Sequence, residues 1–182
     1  MLPSSHRHNH SNDRIRFALG KCALGAILIA ISERGLCEIG LGDDPDSLAR
    51  DFQRRFPHAV MIKGDNKSET WVAKVIRFVE MPASGLDLPL DLRGTAFQQK
   101  VWQALQQIPP GAKASYTEIA ARVGAPKSVR AVAGAIAANT LAVAIPCHRV
   151  IRADGSLSGY RWGVERKAEL LRRESGAGAL QS

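Results

Sequence analysis

The chain has 182 residues, 45% of them hydrophobic and 23% charged, with a mean hydropathy of −0.12; this suits one ordinary domain or two small subdomains sharing a core, and no apolar run is long enough to span a bilayer. The net charge is +8, yet residues 1–92 carry 12 Lys and Arg against 12 Asp and Glu, whereas residues 93–182 carry 13 against 5, so the whole surplus lies where an anionic partner such as nucleic acid would bind. Three cysteines (Cys22, Cys37 and Cys147), odd in number and irregularly spaced, argue against a disulfide framework and fit a reducing cytoplasm.

Residues 1–13 lack the apolar segment of a secretory signal and read as a disordered lead-in, with His6, His8 and His10 in a solvated tail. Residues 14–20, 25–32 and 36–41 read as three short strands separated by tight turns. Asp46 is expected to cap a helix with Leu48, Phe52 and Phe56 on one face, stopped by Pro57. A second helix is expected from Ser68, with Val72, Val75, Ile76 and Val79 facing inward. This α/β unit, residues 14–92, shows no catalytic pattern. Its last part, residues 81–94, is rich in Pro, Gly and Asp and reads as the connection to a second unit, residues 93–176.

That second unit opens on Thr95-Ala96-Phe97-Gln98, a capping-box sequence. The helix behind it aligns Phe97, Val101, Trp102, Leu105 and Ile108 and ends at Pro109-Pro110-Gly111. Two short helices follow around the Gly124-Ala125-Pro126 turn, a helix-turn-helix pattern. In the second of them, Val129, Val132, Ala133 and Ile136 are spaced to face the core. Arg130, Gly134 and Ala138, flanked by Ala131, Ala135 and Ala137, would then face outward. Such a surface lacks the polar side chains that read base edges and suits close approach to a minor groove; burial against another helix would also explain it. Leu141 to Ile145 reads as a buried strand leading to Pro146-Cys147-His148-Arg149-Val150. A Gly- and Ser-rich loop and a terminal helix over residues 164–174 complete the unit, and residues 177–182 read as a disordered tail.

The thiol of Cys147 stands beside an imidazole and a guanidinium. An unperturbed thiol is largely protonated at neutral pH, and a nearby base and cations raise the thiolate fraction. His148 and Arg149 are the local candidates, although consecutive residues of a strand point to opposite faces, so His148 would act through a turn or a bridging water. An orienting carboxylate would come from Glu165, Glu169 or Glu174. No second cysteine lies at zinc-ligand spacing from Cys147, so neither a metal nor a cofactor is expected.

Thr95-Ala96-Phe97-Gln98, Ser115-Tyr116, Arg130-Ala131-Val132, Asn139, Pro146-Cys147-His148-Arg149-Val150 and the loop Leu157-Ser158-Gly159-Tyr160-Arg161-Trp162-Gly163 together resemble the O6-alkylguanine-DNA alkyltransferases, over roughly Arg14 to Glu174. The resemblance implies a ribonuclease-H-like α/β subdomain followed by a mainly helical winged helix-turn-helix subdomain. It also implies a single-turnover DNA repair reaction in which a flipped O6-alkylguanine, or less readily an O4-alkylthymine, passes its alkyl group to Cys147. His148 would take the thiol proton through a water, Glu174 would orient His148, Asn139 would support the local backbone, and Tyr116 would protonate guanine N3. Arg130 would fill the vacated base stack, with Ala131, Gly134, Ala137, Thr95 and Ser115 as further DNA contacts. Val150, Ser158, Gly159, Tyr160, Arg161 and Trp162 would form the alkylguanine pocket. The partner is then double-stranded DNA bound by a cytoplasmic monomer, with no membrane. No zinc-binding, cysteine-rich segment precedes the first strand, so a regulator role is not expected. The alternatives are a non-catalytic DNA-binding damage sensor or regulator, in which Cys147 only packs, and a cysteine hydrolase.

Overall fold

The structure, a computed structural model, describes residues 14–179. The expected lead-in at 1–13 lies outside the described residues, as does the expected tail apart from three helical residues. Three antiparallel-connected strands open the chain: β1 (Arg16–Cys22), β2 (Gly25–Ser32) and β3 (Gly35–Gly42). Then come α1 (Pro45–Arg55), the two-residue strand β4 (Val60–Met61) and α2 (Asn66–Glu80). The sheet order is β3-β2-β1-β4, with β4 parallel to β1 and pairing Arg16 with Val60. β4 is too short and too exposed for alternation to reveal it in the sequence. The caps sit slightly earlier than expected. Asp44 caps α1, with Pro45 in the first helical position, and Asp65 caps α2 in place of the expected Ser68 start. In both, a carboxylate accepts from the free N–H groups of the first turn.

β2 is buried along almost its whole length because the sheet is covered on both faces. Leu28 and Ala30 join Phe17, Cys37 and Phe52 under α1. Ile27, Ile29 and Ile31 point the other way, into a core shared with α2 and with the second half of the chain. The predicted connection at 81–94 is part of that structure. It starts with a single 3-10 turn (Pro82–Ser84), and Leu36 N donates to Pro89 O while Asp91 N donates to Leu36 O. Gly35, at φ 144°, allows this approach, since a Cβ there would lie 2.4 Å from Pro89 O.

The second half comprises α3 (Ala96–Gln106), β5 (Ala114–Ser115), α4 (Tyr116–Arg122), α5 (Val129–Ala137), a 3-10 turn (Cys147–Arg149), β6 (Val150–Ile151) and α6 (Val164–Ala179). Thr95 and Gln98 form both halves of the capping box of α3. Val101, Trp102 and Leu105 are buried, and the Trp102 indole N–H donates to Ala135 O at 2.8 Å, tying α3 to α5. β5 and β6 pair in parallel, Ala114 with Val150 and Ser115 with Ile151. This ladder, invisible in the sequence, brings the start of α4 alongside the cysteine segment. α6 runs past Glu174, where the sequence placed its end.

Residues 141–145 are not the expected strand. Only Leu141 bridges to Ile39, and the chain then turns: Ile145 N donates to Leu141 O at 3.0 Å and Cys147 N to Ile145 O at 2.7 Å. Val143 has φ 68°, the one non-glycine residue with positive φ among those described. For a β-branched residue that conformation costs about 1–3 kcal/mol. The apolar run signalled burial correctly, but burial here serves a turn, not a ladder.

Candidate active site

Asn139 organises this turn. Its Oδ1 accepts from Leu141 N at 2.9 Å, and its Nδ2 donates to Ile145 O at 2.9 Å and to Cys147 Sγ at 3.3 Å. One buried amide therefore closes the loop and supports the sulfur. Arg161 Nη1 donates to Asn139 O at 3.0 Å, fastening the Gly- and Ser-rich loop to the same point.

Cys147, His148 and Arg149 lie in a 3-10 turn in place of the expected strand; His148 and Arg149 both reach Glu174, while the Cys147 sulfur meets Asn139. His148 is fully buried, and its Nε2 lies 2.7 Å from Glu174 Oε1. Of the three carboxylates considered, it is Glu174, 4% exposed, that reaches the imidazole. Burial pushes the Glu174 carboxyl up, but hydrogen bonds from His148 and Arg149 outweigh it and hold the group at about 2. A carboxylate only accepts, so Nε2 carries the proton and Nδ1 the lone pair. Nδ1 is buried, with no hydrogen-bond partner among the described residues. Burial lowers the His148 pKa more than Glu174 raises it, so the resting imidazole is neutral and Nδ1 is free to accept a proton.

Arg149 is not the cation beside the sulfur. Its Nε and Nη2 donate to Glu174, the latter at 2.7 Å, and Nη1 donates to Ile108 O at 2.6 Å. It is the permanent counter-ion of Glu174. The cations that act on Cys147 are Lys167 and Arg161. Nor is the thiol open and ionised at rest: Cys147 is 5% exposed, and burial raises its pKa despite the Asn139 hydrogen bond and the two cations. The resting group is a protonated thiol that a base must unmask.

Sequence reasoning missed Lys167, which is 1% exposed. Its Nζ donates to Val150 O at 2.6 Å and to Ser158 Oγ at 2.9 Å, and Ser158 Oγ lies 2.6 Å from Tyr116 Oη. The signal was present: Lys167, Leu170, Leu171 and Glu174 follow i, i+3, i+4, i+7 on the inward face of α6. In the loop, Ser158 and Trp162 are buried, Gly159 and Arg161 exposed, and Tyr160 half-buried with its hydroxyl enclosed and unpartnered among the described residues. Tyr160 meets Trp162 edge-on at 5.3 Å.

On α5, Arg130, Ala131, Gly134 and Ala137 form an exposed face, while Ala135 turns into the core and Ala133 and Ala138 are half-buried. A Cβ on Gly134 would meet nothing within 4 Å, so burial against another helix does not explain the small residues. Thr95 is exposed at the start of α3. Ser115 is buried and engaged as the α4 cap, accepting from Glu118 N at 3.1 Å. Among the described residues no group of three His, Cys, Asp or Glu side chains is placed to hold a metal, and no helix is long and apolar enough to cross a membrane.

A buried thiol, an imidazole–carboxylate pair and an exposed helix face without large side chains all lie in the second half of the chain. Residues 96–176 match the family described as 6-O-methylguanine DNA methyltransferase, DNA binding domain. Over 175 residues the chain is 53% identical to the bifunctional transcriptional activator/DNA repair enzyme Ada of Escherichia coli, covering 96% of this chain and 49% of that protein. Over 150 residues it is 39% identical to the inducible methylated-DNA–protein-cysteine methyltransferase of Bacillus subtilis, covering 82% of this chain and 84% of that one. The crystal structure of Mycobacterium tuberculosis OGT in complex with DNA superposes with a TM-score of 0.73 at 32% identity, over 88% of this chain and 93% of that chain. The chain belongs to the methylated-DNA–protein-cysteine methyltransferase family. It spans about half the length of the Ada-type relatives it matches.

Proposed function

We propose that the chain repairs DNA by direct reversal, moving the alkyl group of O6-alkylguanine, and less readily of O4-alkylthymine, irreversibly to Cys147. The observation that carries this reading is the joint support of one sulfur by Asn139 and of the adjacent imidazole by Glu174. His148 takes the thiol proton at Nδ1 through a water. The thiolate attacks the alkyl carbon in line with the C–O6 bond, and Tyr116 protonates guanine N3 so that the purine leaves neutral. The product thioether has no easily expelled group, so each molecule acts once.

The exposed face of Arg130, Ala131, Gly134 and Ala137 is the DNA contact, with Thr95 and Ser115 as further contacts. Small side chains there admit the minor-groove backbone, while Arg130 enters the stack of the extruded base. Val150, Ser158, Gly159, Tyr160, Arg161 and Trp162 enclose that base. In this reading α4 and α5 with the β5–β6 ladder are a winged helix-turn-helix spanning residues 93–176, and residues 14–92 are a ribonuclease-H-like unit. The protein works as a cytoplasmic monomer without a cofactor.

The test is incubation with a duplex oligonucleotide carrying O6-methylguanine, followed by mass measurement of the Cys147 peptide. The expected result is the gain of one CH2 in wild type and none in Cys147→Ala, which still binds the duplex. An unchanged Cys147 mass in a protein that binds the duplex supports a damage sensor instead.

A further inference from the structure

Asn139, Cys147, His148, Lys167 and Glu174 all belong to the second half of the chain, yet the loop beside them is fastened to the first half. The fastening is Arg166. Its Nε donates to Leu24 O at 2.8 Å, in the turn between β1 and β2. Its Nη1 donates to Trp162 O at 3.0 Å, and its Nη2 pairs with Asp43 just after β3. The three nitrogens of one planar group thus hold three separate segments, a geometry that the single ammonium of a lysine does not reproduce. Asp43 is almost wholly exposed, so that ion pair adds little. The two carbonyls are the anchorage.

Trp162 is caught between this guanidinium and the sheet. It is buried, and its indole lies beside β3, where a Cβ added to Gly40 would come within 3.9 Å of Nε1. Tyr160 meets Trp162 edge-on and lies close enough to Cys147 for charge on the sulfur to act on it. Contacts therefore run from Leu24 through Arg166, Trp162 and Tyr160 to the sulfur. Tyr160-Arg161-Trp162 is bracketed by Gly159 and Gly163, the latter at φ 100°, so the backbone on either side permits the segment to swing. Inward, both aromatic rings already meet the core. The free direction is outward, away from the sulfur.

We propose that Arg166 is a specificity-determining strut: by pinning Trp162 to the turn at Leu24, the first half of the chain fixes the pocket loop and so the size of alkyl group that reaches Cys147. This rests on the alkyl-transfer reading and adds one positioning residue to it. Arg166 acts through Trp162 and takes no part in the chemistry. A methyl group fits beneath the pinned loop, whereas a large alkyl group needs the segment to move outward.

The test is single-turnover transfer to Cys147 from duplexes carrying O6-methylguanine or O6-benzylguanine, in wild type, Arg166→Met, Arg166→Lys and Asp43→Asn. Arg166→Met should leave the methyl rate within about twofold and raise the benzyl rate about tenfold, the order of discrimination that a pocket wall provides. Arg166→Lys, which keeps the charge and loses the fork, should shift the ratio the same way by a smaller factor. Asp43→Asn, which keeps both carbonyl contacts, should match wild type. Hydrogen exchange, read by mass spectrometry on the folded proteins, should quicken in peptides covering 157–163 of the Arg166 variants and stay unchanged in those covering 139–150. A benzyl-to-methyl ratio that does not rise in either Arg166 variant, or loop exchange equal to wild type, would overturn the strut, while methylation of wild-type Cys147 leaves the alkyl-transfer reading standing. Should wild-type Cys147 gain no methyl group, both fall together.

Discussion

Replacing Glu174 with Gln removes one negative charge and keeps the side-chain volume, isolating what that charge does. The carboxyl is held at about 2 against an ordinary 4.5 and is almost wholly buried, which corresponds to about 3 kcal/mol of folding stability. Breaking a buried ion pair by removing one partner costs a similar amount, about 3–5 kcal/mol, and here the Arg149 guanidinium would be left without its counter-ion. For a chain of this size each kcal/mol moves Tm by about 2–4 °C, so Glu174→Gln should melt about 6–12 °C below wild type at pH 7. The folded-state pKa lies below the unfolded one, so this stability is complete above pH 4.5 and is lost as pH falls toward 2. The gap between wild type and variant should therefore close across that window. Calorimetry from pH 7 down to pH 3 tests both statements. A Tm difference under 2 °C at neutral pH, or a gap that does not narrow in acid, refutes the assignment of Glu174 as the charge that holds His148 and Arg149 together.

Two further substitutions probe the turn and the exposed helix face. Asn139→Ala leaves Ile145 O and Leu141 N without their side-chain partner, at about 1–3 kcal/mol for each buried group. Urea unfolding should show a loss of about 2–5 kcal/mol, and an aromatic disulfide reagent should label Cys147 faster; a loss below 1 kcal/mol would mean that the turn is held elsewhere. Gly134→Gln should act with opposite signs on stability and binding. It replaces a helix-interior glycine in open space and should add about 0.5–1 kcal/mol to stability, while its longer side chain weakens binding to duplex DNA. A variant that is both more stable and equally tight in a fluorescence-anisotropy titration would remove this face from the proposed contact.

Local sequence determined much of this protein. The strand at 25–32 between its tight turns and the capping box at Thr95 and Gln98 depend on neighbouring residues alone, so they were legible as written. The same holds for the stripe of Val101, Trp102 and Leu105 on α3. The motif around Cys147 and the small-residue face of α5 could likewise be read off, as could Glu174 as one of three candidate carboxylates. Tertiary structure decided the rest, because electrostatics and hydrogen bonding depend on distance in space and not along the chain. It made the apolar run before Cys147 a turn held by Asn139, and it gave Arg149 to Glu174 rather than to the sulfur. It buried the thiol deeply enough to keep it protonated at rest. It also joined β5 to β6, bringing together Tyr116, Ser158 and Lys167, residues up to 51 positions apart. A periodic pattern tells which face of a helix is buried, but not which buried group will meet it across the core, and in this protein that meeting is what turns a cysteine into a site.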